Sequence, residues 1–367
     1  MENQSSSSLR VSLKSTVQFV PGTDQVTKTQ WVRELKEKES VASSFLVKFS
    51  AVGVDKNGKP YMNLVLMDKS GELEARVWED VPHYSGQVTR DQFVWVEGKC
   101  QAYQGRRQIV VKGMQLLRED QLEVKNFIAE SKLDADRLYS ELLAYISSMQ
   151  DPFYKALAES ILRDDAEIVD RVKRAPAAKS VHHAYKTGLL EHVVSITGIL
   201  DGLAKHYQPY LDRDLLFLGG FLHDIGKIWE LSYDRVTDYT TEGKLIGHLV
   251  MGVELVDRKI RELEAQEGRL PGDGKFPESQ KLLVKHLILA HHGELEYGSP
   301  KRPKCLEALV VHYIDDLDSK VNAIRMFIEN DQTPGQWTAL NRMYDRFFFK
   351  PEWAMNGSAG SGESFPK

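Results

Sequence analysis

The chain has 367 residues, a net charge of −5 and a hydrophobic fraction of 42%, values ordinary for a globular protein of two or three domains. The acidic balance argues against a protein that coats nucleic acid with its whole surface, although it leaves room for one basic groove. There is no run long and apolar enough to span a bilayer, no apolar core of the signal-peptide kind near the start, and only two cysteines, Cys100 and Cys305, far apart in the chain. The expected location is therefore the reducing cytoplasm, without a membrane partner.

Residues 1–15 are Ser-rich and read as disordered, as does the tail 351–367. Residues 16–120 read as a β domain. The runs FLVKFSAVGV, YMNLVLMD, LEARVWED, FVWVEGKCQAY and RQIVVKGMQLL are separated by turn signals DKNGKP, KSGE and Gln104-Gly105. Five such strands suit a small barrel, with the OB-fold as the leading form and an SH3-like barrel as its competitor. Phe45, Lys48, Tyr61, Arg76, Trp78, Tyr103 and Arg106 are the candidate nucleic-acid contacts, because exposed rings stack bases while cations track phosphates. Some of these rings must belong to the core. Strand alternation puts Trp78 and Trp95 on one face each without saying which is inside.

The texture changes near residue 120. A helical linker is expected over 121–160 and an all-α domain over 161–350. Apolar residues recur at three- and four-residue spacing in GLLEHVVSITGILDGLAKHY, DLLFLGGFLHDIGK, LIGHLVMGVELVDRKIRELEAQ, SQKLLVKHLILAHH and LEALVVHYIDDLDSKVNAIRMFIEN. Breaks are expected at Asp151-Pro152, at Gln208-Pro209, over 268–277 and over 298–303.

Ten of the eleven histidines lie between His182 and His312. His192 shares a helix face with Leu189 and Ile196, so its ring points inward and needs a partner. His223 and Asp224 end a very apolar helix, where a buried carboxylate is costly unless paired or bound to a cation. The expectation is that Gly226 turns the chain sharply just after them. His248 is expected inside an apolar helix, and His291-His292 close another before Gly293. A lone inward histidine is more often a hydrogen-bonded core residue, and His182, His183, His206, His286 and His312 keep that reading. Imidazoles and carboxylates together suit divalent ions such as Mn, Fe, Ni or Zn. Five histidines with Asp224 and Asp315 would fit two neighbouring ions bridged by Asp224.

The order His … His-Asp … His … His-His … Asp resembles the signature of HD-domain phosphohydrolases. The contexts HHAYKTGLLEHVVSI, LHDIGK followed by WELS, TEGKLIGHLVMG, LILAHHGELEYGSPKRPKCLEALVVHYIDDLDSK and YDRFFFK are similar to those of the YhaM-type HD-domain 3′→5′ exoribonucleases, which also carry an N-terminal OB-fold. The resemblance covers roughly residues 40–350. It implies a multidomain fold, an all-β OB barrel followed by a helical HD domain. It implies one metal shell of His192, His223, Asp224 and Asp315 and a second of Asp224, His248, His291 and His292. Asp315 is preferred to Asp316 by alignment of IDDLDS with the family pattern. Mn2+ is the leading ion, with Fe2+, Ni2+, Co2+ or Zn2+ as alternatives.

Asp224 and Lys227 are the candidate catalytic residues, Lys227 adding positive charge at the phosphate. Lys301 and Arg302, on a basic loop after the histidine pair, are further candidate contacts to the substrate backbone. The implied activity is metal-dependent 3′→5′ hydrolysis of single-stranded RNA, with single-stranded DNA as a second substrate. The alternatives are an HD phosphohydrolase acting on a small nucleotide under a regulatory barrel, and a binding module with a vestigial metal site.

Overall fold

Alternation of apolar and polar side chains, interrupted by Gly and Asp turns, builds the first half of the protein. The computed structural model describes residues 24–352, apart from 105, 129–130, 132, 180–184 and 332. His182, His183, the stretch 1–15 and the tail beyond 352 lie outside these described residues. The chain divides into two units, Met1–Ala129 and Glu130–Lys367.

The first unit holds β1 (Ser40–Val54), β2 (Pro60–Asp68), β3 (Gly71–Val77), the short helix α1 (Val81–Ser85), β4 (Phe93–Tyr103) and β5 (Arg106–Leu117). They close into a barrel in the order β1-β2-β3-β5-β4. β1 is long enough to pair with both β2 and β4, changing register at a bulge between Val47 and Phe49. The β3–β5 pair is parallel and all others are antiparallel. This is the OB order, which settles the choice against an SH3-like barrel. Leu64, Leu66, Ala75, Val94, Val96 and Ile109 fill the interior.

Phe45 also fills it, which corrects its assignment as a base-stacking ring. Its side chain is fully buried, and the Lys28 ammonium lies 4.1 Å from the ring centroid. Lys28 is itself held 2.9 Å from the buried carboxylate of Asp68. The ring is enclosed by an ion pair and has no free face. Trp95 is buried too, whereas Trp78 and Tyr103 are exposed.

The second unit is helical: α2 (Ala135–Ser147), α3 (Pro152–Leu162), α4 (Ala166–Arg174), α5 (Gly188–His206), α6 (Arg213–Leu222), α7 (Lys227–Glu230), α8 (Thr241–Leu245), α9 (His248–Glu264), α10 (Glu278–Ala290) and α11 (Leu306–Asn330). Asp134, Asp151, Asp165 and Asp212 accept first-turn N–H groups and so fix the starts of α2, α3, α4 and α6. Helices α2 and α3, from the stretch expected to link the domains, place Leu142, Leu157 and Ile161 in the same core as Leu190, Phe217 and Phe221. α5 packs on α6, and α11 packs on both. No described helix is long and apolar enough to cross a membrane.

The expected single helix through LIGHLVMG is broken. Gly247 has φ 81°, so α8 ends before it and His248 is the first residue of α9 rather than an interior one.

Removing the Phe45 ring tests its placement. Phe45→Ala should cost about 3–5 kcal/mol of barrel stability in urea denaturation. An unchanged midpoint together with weakened strand binding would put the ring back on the surface.

Candidate metal centre

Five of the seven expected ligands stand where helices begin or end. His223 caps α6 and Asp224 follows it, His248 opens α9, and His291 caps α10 with His292 next. His192 and Asp315 come from the interiors of α5 and α11. Helices α5, α6, α9, α10 and α11 thus carry or adjoin all seven, and His192, His223, Asp224 and His291 are buried.

Hydrogen bonds at the far side of each ring fix which nitrogen faces inward. His192 Nδ1 lies 2.8 Å from Asp318 Oδ2. His223 Nδ1 faces the Gly219 and Gly220 carbonyls at 3.2 Å. His248 Nδ1 lies 2.9 Å from Glu230 Oε1, and His291 Nδ1 lies 2.8 Å from the Ile288 carbonyl. In the neutral rings each of these four Nδ1 atoms donates its proton to an oxygen, and each Nε2 is then left with a lone pair. These partners also hold the rings in place, as the outer partners of metal-bound imidazoles do.

The inward atoms fall into two groups. His192 Nε2 and His223 Nε2 are 3.3 Å apart, with Asp315 Oδ1 at 3.2 Å from the first and Asp224 Oδ2 at 3.3 Å from the second. On the other side, His248 Nε2 and His291 Nε2 each lie 3.5 Å from Asp224 Oδ1. The His292 ring stands 5.2 Å from that of His248 and 4.4 Å from that of His291, centroid to centroid. The sets His192, His223, Asp224 and His248, His291, His292 each bring ligand atoms within 4.8 Å of one another. One oxygen of Asp224 faces each set.

Electron pairs pointed at one another in a dry site repel unless a cation lies between them. Asp224 Oδ1, His248 Nε2 and His292 Nδ1 are buried without hydrogen-bond partners. The donor set of imidazole and carboxylate is the one that divalent transition ions take. The residues therefore fit divalent cations.

The electrostatics agree. Burial works against charge on His192, but Asp315 and Asp318 outweigh it and push its pKa up to about 10. The site draws a cation to that ring, and a proton is the smallest one. Burial, and then the neighbouring His291, pull His292 down to about 4, so it stays a neutral ligand. Burial raises Asp224, yet Lys227 and His223 hold it well below the ordinary carboxylate range. Lys227 Nζ sits 2.6 Å from Asp224 Oδ2, and its side chain is largely shielded from solvent.

The structure distinguishes the two adjacent aspartates. Asp315 reaches His192, while Asp316 turns outward to Lys320 at 2.7 Å. Lys301 and Arg302 are exposed on their loop, Arg302 pairing with Glu294 at 2.8 Å. Gly226 lies, as expected, in the turn that follows His223-Asp224, but with a right-handed φ of −62° that any residue could adopt. It is needed for close approach, because a Cβ there would stand 2.1 Å from the His248 carbonyl oxygen. Glu230 was not singled out in the sequence. It accepts from both the backbone N–H and the ring of His248, and only its place six residues after Asp224 marks it. Asp318 is the other holder, bonded to His192 and to Ser195 Oγ.

On the barrel, Tyr61 and Trp78 form a ring pair 5.1 Å apart, with the Arg76 guanidinium 5.9 Å from Tyr61. Arg76 also bonds Asn63, its cross-strand partner. Lys48 pairs with Glu72. Tyr103 and Arg106 flank the β4–β5 turn and are exposed.

Loss of an outer partner should loosen the cation without emptying the site. Asp318→Asn should weaken Mn2+ binding about 10- to 100-fold in calorimetric titration. Asp316→Asn should leave it unchanged. Equal effects at the two positions would contradict the geometry.

Residues 189–320 match the HD domain, and residues 35–117 match the OB-fold nucleic acid binding domain. Among solved structures, the chain is similar to the second OB-fold domain of replication protein A from Methanococcus maripaludis, at 16% identity over 25% of this chain and 97% of that one, TM-score 0.21. It is also similar to the mitochondrial single-stranded DNA binding protein Rim1 of S. cerevisiae, at 14% identity over 23% and 97%, TM-score 0.21. The SSB domain of a Synechococcus protein gives 13% identity over 22% and 97%, TM-score 0.20. The chain thus combines an OB-fold nucleic-acid-binding domain with an HD region of the metal-dependent phosphohydrolase type.

Proposed function

We propose that the protein is a metal-dependent 3′→5′ exonuclease that hydrolyses single-stranded RNA, and single-stranded DNA as a second substrate. The observation that carries the reading is Asp224, a buried carboxylate with one oxygen toward each of two histidine sets. His192, His223, Asp224 and Asp315 would hold one divalent ion, and Asp224, His248, His291 and His292 a second. Bound there, such ions acidify water and take up charge on phosphate oxygens; Mn2+ is the ion we expect.

The chain's own residues do the rest. Asp318, Glu230 and the carbonyls of Gly219, Gly220 and Ile288 orient the imidazoles before substrate arrives. Lys227 holds Asp224 ionised and sets a positive charge beside the bridge, where an incoming phosphate gains from it. Tyr61 and Trp78 offer ring faces to bases, and Arg76 and Lys48 offer charge to the backbone. The direction of trimming and the preference for RNA rest on the resemblance of the motifs around His223, His248, His291 and Asp315. A cytoplasmic location and the role of Lys301 and Arg302 as backbone contacts belong to the same reading.

End-labelled oligoribonucleotide with Mn2+ should give a ladder that shortens from the 3′ end. Asp224→Asn should abolish it while single-strand binding persists. Intact oligomer with turnover of free nucleotides would instead establish a small-nucleotide phosphohydrolase. Wild-type turnover by the variant would remove the metal chemistry altogether.

On the barrel, Tyr61→Ala or Trp78→Ala should weaken single-strand binding by about 1–3 kcal/mol in fluorescence anisotropy. Their denaturation midpoints should stay near wild type, unlike that of Phe45→Ala.

A further inference from the structure

Helix α11 has two occupied requirements and only one occupied face. Asp315 and Asp318 turn inward to His192. On another face, Leu309, Tyr313, Leu317 and Val321 follow one another every four residues and are 42%, 60%, 50% and 54% exposed. A row of this spacing is a ridge, the feature that packs into the groove of a second helix. A helix bordering water would carry polar groups there.

A narrow hairpin continues the apolar surface. It is held by the bridges Trp337↔Phe349 and Asn341↔Arg346. Lys350 pairs with Asp331 at 2.6 Å, and Phe348 meets Phe327 of α11 at 6.2 Å, so the hairpin is anchored to the end of the helix. Trp337 and Phe347 are each 57% exposed. A two-stranded hairpin has little stability of its own and needs a surface to lie on.

We propose that a second copy of this chain covers the ridge and hairpin, with the two α11 helices crossing about a two-fold axis. The area argues for a protein partner. Aromatic side chains bury ~150–250 Å² each when fully covered, and Leu and Val somewhat less. The six named here are about half exposed, which leaves on the order of 600 Å² of apolar surface. That reaches the top of the range for a monomer's largest patch and most of the ~800 Å² that each side of a stable interface buries.

The charges argue for a copy of the same chain and against a polyphosphate strand. Lys320 is paired with Asp316 at 2.7 Å and Arg325 with Glu329 at 3.3 Å, so the cations flanking the ridge are already neutralised. Such balanced pairs are self-complementary. An antiparallel copy sets Asp316 of one chain near Lys320 of the other, and isologous contacts of this kind make closed dimers.

Sedimentation equilibrium of the full chain at micromolar concentration tests this. Wild type should run as a dimer or a multiple of one. Leu309→Glu with Val321→Glu should run as a monomer, with unchanged helical circular dichroism and unchanged Mn2+ titration. Leu309→Ala with Val321→Ala provides a milder pair if the glutamates prevent folding, and should raise the dimer dissociation constant at least tenfold. A wild-type chain that stays monomeric at tens of micromolar, or an alanine pair that dissociates like wild type, would overturn the proposal.

Discussion

A buried anion surrounded by lone pairs is the constraint around which the helical unit is organised. Asp224 is almost wholly shielded from water, and among the described residues its only lysine or arginine partner is Lys227, at one oxygen. The other oxygen faces His248 and His291, whose inward nitrogens have no proton to give once their Nδ1 atoms donate elsewhere. Desolvating a carboxylate costs several kcal/mol, and surrounding it with acceptors adds to that cost. An arrangement of this kind is stable only around positive charge. Protonation of His192 between Asp315 and Asp318 is a partial answer, since it neutralises one set and leaves the other facing Asp224 Oδ1.

Helix ends make this concentration of ligands feasible. A residue in a helix interior has its backbone carbonyl committed, whereas the last turn leaves carbonyls free. His223 and His291 use such carbonyls, those of Gly219, Gly220 and Ile288, to orient their rings. The start of α9 works the other way. Its first N–H and the ring of His248 both donate to Glu230, so one carboxylate caps the helix and aims a ligand. Gly226 lets the turn after Asp224 lie against His248's carbonyl, which no residue with a Cβ permits. The close approach and the ligand geometry are therefore one requirement, met by a single glycine.

The parts legible in the sequence are those with short-range signals. Strand alternation and Gly/Asp turns gave five strands, and three- and four-residue spacing gave most of the helices. Helix α4, AEIVDRVKR, escaped because it is short and mostly charged, although Ile168 and Val172 stand four residues apart on its buried face. The break at Gly247 escaped because LIGHLVMG is apolar on both sides of it, and a positive φ is invisible in composition. The seven candidate ligands were visible because histidine and aspartate on apolar faces are anomalous one by one. Glu230 and Asp318 were harder, since a carboxylate holding a histidine looks like any solvated acid until the fold brings it there. Phe45 misled for a related reason. Aromatic residues in a barrel strand alternate in and out, and only the position of β1 against Lys28 and Asp68 decides the side.

Separate cores for the barrel and the helical unit have a kinetic consequence for the proposed activity. If Tyr61, Trp78 and Arg76 contact the strand as proposed, those contacts would be present equally before and during hydrolysis, because among the described residues the barrel contributes no ligand to the metal centre. Binding that is uniform along the reaction lowers KM and leaves kcat alone. Contacts at Lys227 grow with the charge on the phosphate and bear on kcat. On the proposed function the barrel would act as a tether that raises the local concentration of strand at the centre. Such a division favours long strands over short ones, because only a strand that spans both units gains from both.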